Sequence, residues 1–299
     1  MKRVLTALLM LAMIAVVPLS LASCGPQQKT IYGREVLSLG SQLDALNGLK
    51  RGDSDVAVID SVMAGYYMND TDAFTDYQIL PDIVLAEEEY GIAAKKGNEA
   101  LMGKINEALI ALAETDYKTV ADTYGLSSEL LVTKDTVNPY ANATDSSWDD
   151  LVASKRLVIG YTVFAPIAFP DKDGADAKLI GFDIDLAHKV VDYLNDTYGT
   201  EIEPEFTKIE WSTKEAKLEN GDLDLVWNGM TINEERLNAM TISVPYLANK
   251  QVAVIAKADA EKYAATTLTE FKEKVKNAII TVEKGSAGES LVLVVEEEE

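Results

Sequence analysis

A Gly-Asp turn followed by an apolar strand occurs twice in this chain, and that repetition limits the folds open to it. The stretch from Leu49 to Asp60 reads L-K-R-G-D-S-D-V-A-V-I-D, and that from Leu218 to Gly229 reads L-E-N-G-D-L-D-L-V-W-N-G. Each is a helix end, a turn at Gly52-Asp53 or Gly221-Asp222, and a run of branched and apolar residues expected to form a buried strand. Two copies of such a unit predict two α/β lobes of similar build. In the second copy the strand is expected to stop at Asn228-Gly229, a turn signal. Thr231 to Asn233 then lead into a helix with Asn233 as N-cap. Glu234 and Glu235 suit the positive end of that helix dipole. Arg236 stands at N3, where a capping box places Glu or Gln. A guanidinium in a first turn just past the carboxyl end of a strand sits where open α/β sheets bind ligands, and its planar fork matches a carboxylate. A surface ion pair is the other reading, and Asp60 has the same two faces: ligand partner or helix cap.

The front of the chain is not expected to join the fold. Lys2 and Arg3 precede an apolar run from Val4 to Val17, followed by small residues up to Leu21-Ala22-Ser23-Cys24. Charge, apolar core and small-residue end mark residues 1–23 as a secretory signal; Pro18 and the short core argue against a membrane span. L-A-S-C resembles the bacterial lipobox, which makes Cys24 the expected lipid attachment site. It is the single cysteine of 299 residues, so no intramolecular disulfide can form. The net charge of −22 argues against nucleic acid and against a basic membrane-binding face.

In chain order, Gln27 to Arg34 read as a short tether or loop and Asn69 to Asp82 as a polar, turn-rich stretch. Strands are expected at Val36–Leu39, Tyr90–Ala94, Leu157–Tyr161, Ile202–Phe206, Val252–Ile255 and Ile279–Val282. Helices are expected over Leu43–Leu49, Ser61–Met68, Asn98–Glu114, Tyr117–Tyr124, Gly181–Leu194, Thr213–Glu219 and Leu268–Lys274. Val137 to Ser147, with Pro139 and no periodicity, reads as a linker. The single histidine, His188, is expected on a solvated helix face. No His/Cys cluster suggests a metal, and no cofactor is expected. Of Asp183 and Asp185, one is expected at the core edge and the other as a helix cap.

Six stretches together resemble the polar amino-acid-binding proteins of bacterial ABC importers: G-F-D-I-D-L from Gly181, N-G-M-T-I-N-E-E-R from Asn228, S-V-P-Y from Ser243, E-K-G-S-A-G-E from Glu283, G-D-S-D-V-A-V-I-D from Gly52 and E-Y-G-I-A-A-K-K-G-N from Glu89. The resemblance implies an α/β, two-lobed periplasmic-binding-protein-like fold with a ligand cleft between the lobes. It implies binding without catalysis, an amino acid as ligand, an importer permease as partner, and an extracytoplasmic location held to the membrane only by the lipid anchor. The lobes are expected to be 25–88 with 254–299, and 89–253. By resemblance Arg236 and Thr231 hold the ligand carboxylate beside the Asn228-Gly229 turn. Asp60 holds its ammonium, Ser286 and Ala287 offer backbone amides, and Phe164 and Trp211 flank the side chain.

Two departures stand out. The family's order begins with the equivalent of Leu157, runs through Glu289, and continues with the equivalents of Ile31 to Tyr124. Here the second portion comes first, as in a circular permutation or a fragment of a tandem protein. Tyr161-Thr162 also lacks an acid that many binders of basic amino acids carry, so a neutral polar amino acid is expected. Rival functions are a dehydratase-like enzyme on the same fold, which fold alone does not exclude, and a sensing module.

Overall fold

In a computed structural model, the protein is described from Gln28 to Val295; the expected signal segment, residues 1–23, and Cys24 lie outside these residues. The first third contains β1 (Gln28–Thr30), β2 (Glu35–Leu39), α1 (Gln42–Arg51), β3 (Val56–Asp60), α2 (Ser61–Gly65) and the long β4 (Tyr77–Lys95), then α3 (Glu99–Leu112) and α4 (Asp116–Thr123). The middle contains α5 (Ser147–Ser154), β5 (Arg156–Tyr161), a short hairpin of β6 (Phe169–Pro170) and β7 (Leu179–Ile180), α6 (Phe182–Tyr198), β8 (Glu203–Lys208), α7 (Lys214–Asn220), β9 (Leu225–Thr231) and α8 (Glu234–Ala239). The last part holds β10 (Met240–Ile242), β11 (Leu247–Ala256), α9 (Ala260–Tyr263), α10 (Leu268–Val275), β12 (Ile279–Glu283), α11 (Ala287–Val292) and β13 (Leu293–Val295).

The repeated Gly-Asp units fold alike. Gly52 and Gly221 cap α1 and α7 with φ of 74° and 76°, the left-handed conformation that glycine adopts without a Cβ penalty. Each helix is then followed by a fully buried strand, β3 or β9.

The main sheet runs β2-β12-β3-β11-β4-β9-β5-β8, with β10 added beside β4. Its two ends have one plan. β12 lies between parallel neighbours β2 and β3, and β5 between parallel neighbours β8 and β9. In the β5 half the central strand comes first in the chain; in the β12 half it comes last. β4 and β11 join the halves. β11 pairs antiparallel with β4 from Leu247–Tyr90 to Ala256–Tyr77, while Tyr90–Ala94 pairs onward with β9. The far half of β11, from Gln251, pairs with β3.

The sheet is mixed, and helices pack on its parallel outer strands, α1 on β3 and β12, α6 on β8. The helical spacing of Leu101, Ile105, Ala108 and Leu109 on α3 places all four in the largest core, with Trp227, Tyr246 and Phe182. Each such buried Leu or Ile contributes about 1.5–3 kcal/mol.

Three local expectations are corrected. Gln27 to Arg34 is no simple tether, because Gln28–Thr30 pairs antiparallel with Leu293–Val295 in a separate two-stranded ribbon. The turn-rich stretch before Asp82 gives way at Tyr77 to β4, paired with nine residues of β11. The second Gly-Asp strand does not stop at Asn228-Gly229. Between Met230–Gly91 and Val226–Ala93, β9 carries four steps where β4 carries two, so Trp227 to Gly229 bulge out and the strand continues to Thr231.

Candidate functional site

Strand ends and helix starts from both halves converge on one cavity. Asp60 closes β3, and Glu283 closes the neighbouring parallel strand β12; the carboxyl ends of parallel strands face the ligand crevice of open α/β sheets. Ser286 and Ala287 form the turn into α11, where Ser286 is the N-cap and accepts from Glu289 N. From the other half come the β9 bulge at Asn228-Gly229, Thr231 at the strand end, and Arg236 at N3 of α8. Asn233 caps that helix as expected, its Oδ1 accepting from Arg236 N at 2.8 Å. Phe164 and Trp211 complete the wall. The nine residues expected from the sequence (Asp60, Phe164, Trp211, Asn228, Gly229, Thr231, Arg236, Ser286 and Ala287) all line this cavity.

Gln42, Thr162, Gln251 and Glu283 line it as well, and were not singled out. An acid at the end of β12, just before the Gly-Ser-Ala-Gly turn, was a readable signal for Glu283, because Asp60 holds the same position on β3. Gln251 had no such signal: it faces Asp60 only because β11 pairs with β3 in that register.

The charged groups are desolvated. Asp60 is 4% exposed and Arg236 6%. The Asp60 carboxylate accepts from Asn249 Nδ2 at 2.6 Å and from the amides of Gln42 and Gln251. Burial, and then the charge of Glu88, push its pKa from 3.8 up to about 7, while the amide donors pull it back. Burial lowers the pKa of Arg236. Its guanidinium donates to Thr231 O at 2.7 Å and, across the cavity, to Gly285 O at 3.3 Å. Thr231 Oγ1 donates to Glu88 Oε2 at 3.0 Å, and Lys214 Nζ to Gly285 O at 3.2 Å. These contacts hold the halves together, and the space left between them is about 10 Å³, roughly one water. A solute larger than a water would need the halves to part.

A second layer fixes the bulge. Gly229 has a φ of +60°, and its N–H donates to Asp183 Oδ2 at 2.8 Å. Tyr246 Oη donates to the same oxygen at 2.8 Å. Asp183 is 1% exposed, and burial pushes its pKa from 3.8 to about 7. Neither acid of the Asp183/Asp185 pair caps its helix, whose N-cap is Gly181: Asp183 anchors the site, and Asp185 accepts from Tyr124 Oη. His188 is exposed on α6 against Phe206, as expected.

Two α/β halves thus bring a buried base and a buried acid to one cavity. Residues 157–289 match the family model of the bacterial extracellular solute-binding proteins, family 3. The chain is 30% identical over 116 residues to an ABC transporter glutamine-binding protein of Bacillus subtilis, covering 38% of this chain and 41% of that protein. To an L-arginine-binding protein of Pseudomonas aeruginosa it is 38% identical over 100 residues, 32% and 39% of the two chains. It thus spans about two fifths of the length of these curated relatives. Among solved structures, an ABC uptake substrate-binding protein of Streptococcus pneumoniae with bound histidine is 33% identical, with coverage of 31% of this chain and 35% of that one and a TM-score of 0.26.

Proposed function

We propose that this chain captures an amino acid between its lobes and delivers it to the membrane permease of an ABC importer, without catalysis. One observation carries the reading. A buried guanidinium, Arg236, and a buried carboxylate, Asp60, reach a single cavity from opposite halves of the sheet. An amino-acid zwitterion needs one partner of each sign, each desolvated and hydrogen-bonded. With the partners on opposite lobes, closure is stabilised by ligand that bridges them. The lobes in this reading are 25–88 with 254–299, and 89–253, hinged at β4 and β11.

Thermal melting and calorimetry against the twenty amino acids test the proposal, since a ligand bound only by the folded form raises the melting point. At least one amino acid is expected to bind the wild type. Arg236→Ala and Asp60→Ala are each expected to abolish that binding, because removing one partner of a desolvated pair costs about 3–5 kcal/mol. Binding undiminished in both variants defeats the proposal.

Two further parts of the reading go with it. Cys24 carries a lipid that holds the protein at the outer face of a membrane; an unchanged precursor-to-mature pattern under globomycin would exclude this. The chain is circularly permuted, a view supported by the β12 half having its central strand last and by the β1–β13 ribbon bringing residues 28 and 295 side by side. Permutation is tolerated where old ends can be joined and new ends are close.

A further inference from the structure

The cavity holds more negative charge than a neutral amino acid requires. Glu283 is 4% exposed on the strand next to Asp60, and its Oε1 has no hydrogen-bond partner among the described residues. Glu88 lies just behind, accepting from Thr231, Asn249 and Gln251 at 3.0 Å each. The nearby cations are already engaged. Lys214 Nζ is 2.9 Å from Glu215 Oε1 and donates to Gly285 O. Arg236 donates to two carbonyls. Among the described residues, no Lys or Arg nitrogen lies within the 4.0 Å ion-pair distance of Glu283.

A zwitterion with its carboxylate on Arg236 and its ammonium on Asp60 therefore leaves a second buried carboxyl group unmatched. Leaving it ionised there is expensive. A ligand with a further cation resolves the mismatch; Phe164 lines the same cavity, while the ring of Trp211 already carries Lys214 Nζ 4.8 Å from its centroid.

We infer that Glu283 is the side-chain subsite of the cleft and that the ligand is an amino acid with a positively charged side chain; the inference rests on the amino-acid-binding reading above. It replaces the neutral ligand expected from Tyr161-Thr162, with the acid supplied by the opposite lobe. Burial, and then the charge of Asp60, push the Glu283 pKa from 4.5 up to about 8, against Lys214, the Gln42 hydrogen bond and Arg236, which lower it. In the empty cleft at neutral pH Glu283 thus holds a proton, and a cationic side chain displaces it. Asp60 must ionise for either class of ligand, so its titration cancels when two ligands are compared.

The test is calorimetric titration of the full chain with isosteric pairs, arginine against citrulline and lysine against norleucine, from pH 6 to 9. The charged member of at least one pair is expected to bind about tenfold or more tightly at pH 8, with a preference that widens as pH rises. Glu283→Gln is expected to erase that preference. Equal affinity within both pairs, or an undiminished preference in Glu283→Gln, overturns the inference while the binding reading stands. Binding of no amino acid overturns both. Should Glu283→Gln fail to fold, the pH dependence of the wild-type preference decides, and a flat ratio counts against the subsite.

Discussion

Replacing Asp60 with Asn separates what this carboxylate does for binding from what it does to stability. In the folded protein burial, followed by the charge of Glu88, holds its pKa at about 7 against an ordinary 3.8. The folded state therefore keeps the proton more tightly than the unfolded chain. Asp60 is neutral at no penalty below 3.8, and folding loses stability as pH rises from there to about 7. At 1.36 kcal/mol per pH unit the whole loss is about 4 kcal/mol, of which about 2 kcal/mol falls between pH 5 and 7. The group is 4% exposed, so solvent screening reduces this little. Asparagine does not titrate. Its amide faces the Gln42 donor, which costs about 1–3 kcal/mol at every pH. The stability of the variant relative to wild type should therefore climb by about 3 kcal/mol between pH 5 and 8, while its ligand binding is lost. Urea unfolding at pH 5, 6, 7 and 8 measures the difference, in which the titration of Asp183 largely cancels, while Glu283 titrates lower in the variant because the charge of Asp60 no longer raises it. A flat or falling difference refutes the assignment of a desolvated, charge-crowded Asp60.

Other perturbations follow from the same geometry. In Gly229→Ala a Cβ would lie 2.7 Å from Phe164 Cε1 at a φ of +60°, so Phe164 must move; about 1–3 kcal/mol of stability and most ligand binding should be lost, read by thermal melting with and without ligand. Tyr246→Phe leaves Asp183 with only the Gly229 amide, which should cost about 1–3 kcal/mol. It also raises the Asp183 pKa beyond about 7, so the loss should be greater at pH 8 than at pH 6 by denaturant unfolding. A rearranged chain starting at Ser147, with residue 295 joined to residue 28 and its end before the Val137–Ser147 linker, should fold and bind the same amino acid; failure to fold would count against the permuted reading.

Much of the site was legible because its determinants are local. Gly52 and Gly221 announced two helix ends, Asn233 announced a helix start, and Arg236 was conspicuous as a base in a first turn that favours acids. Glu283 was legible in the same way, as an acid closing a strand before a glycine turn. Asn228-Gly229 misled for a local reason too: the dipeptide that usually ends a strand here forms a bulge inside one, because β4 continues to pair beyond it.

The sequence by itself determined where helices and strands begin, and that two similar α/β units bear one acid and one base at strand ends. Periodicity and turn chemistry act over a few residues, so a linear reading captures them. Only the tertiary structure decided that those two groups share a cavity, that Gln251 stands opposite Asp60, and that Glu283 Oε1 is left without a hydrogen-bond partner among the described residues. Pairing register and closure of the halves set those distances, and both depend on contacts between residues far apart in the chain.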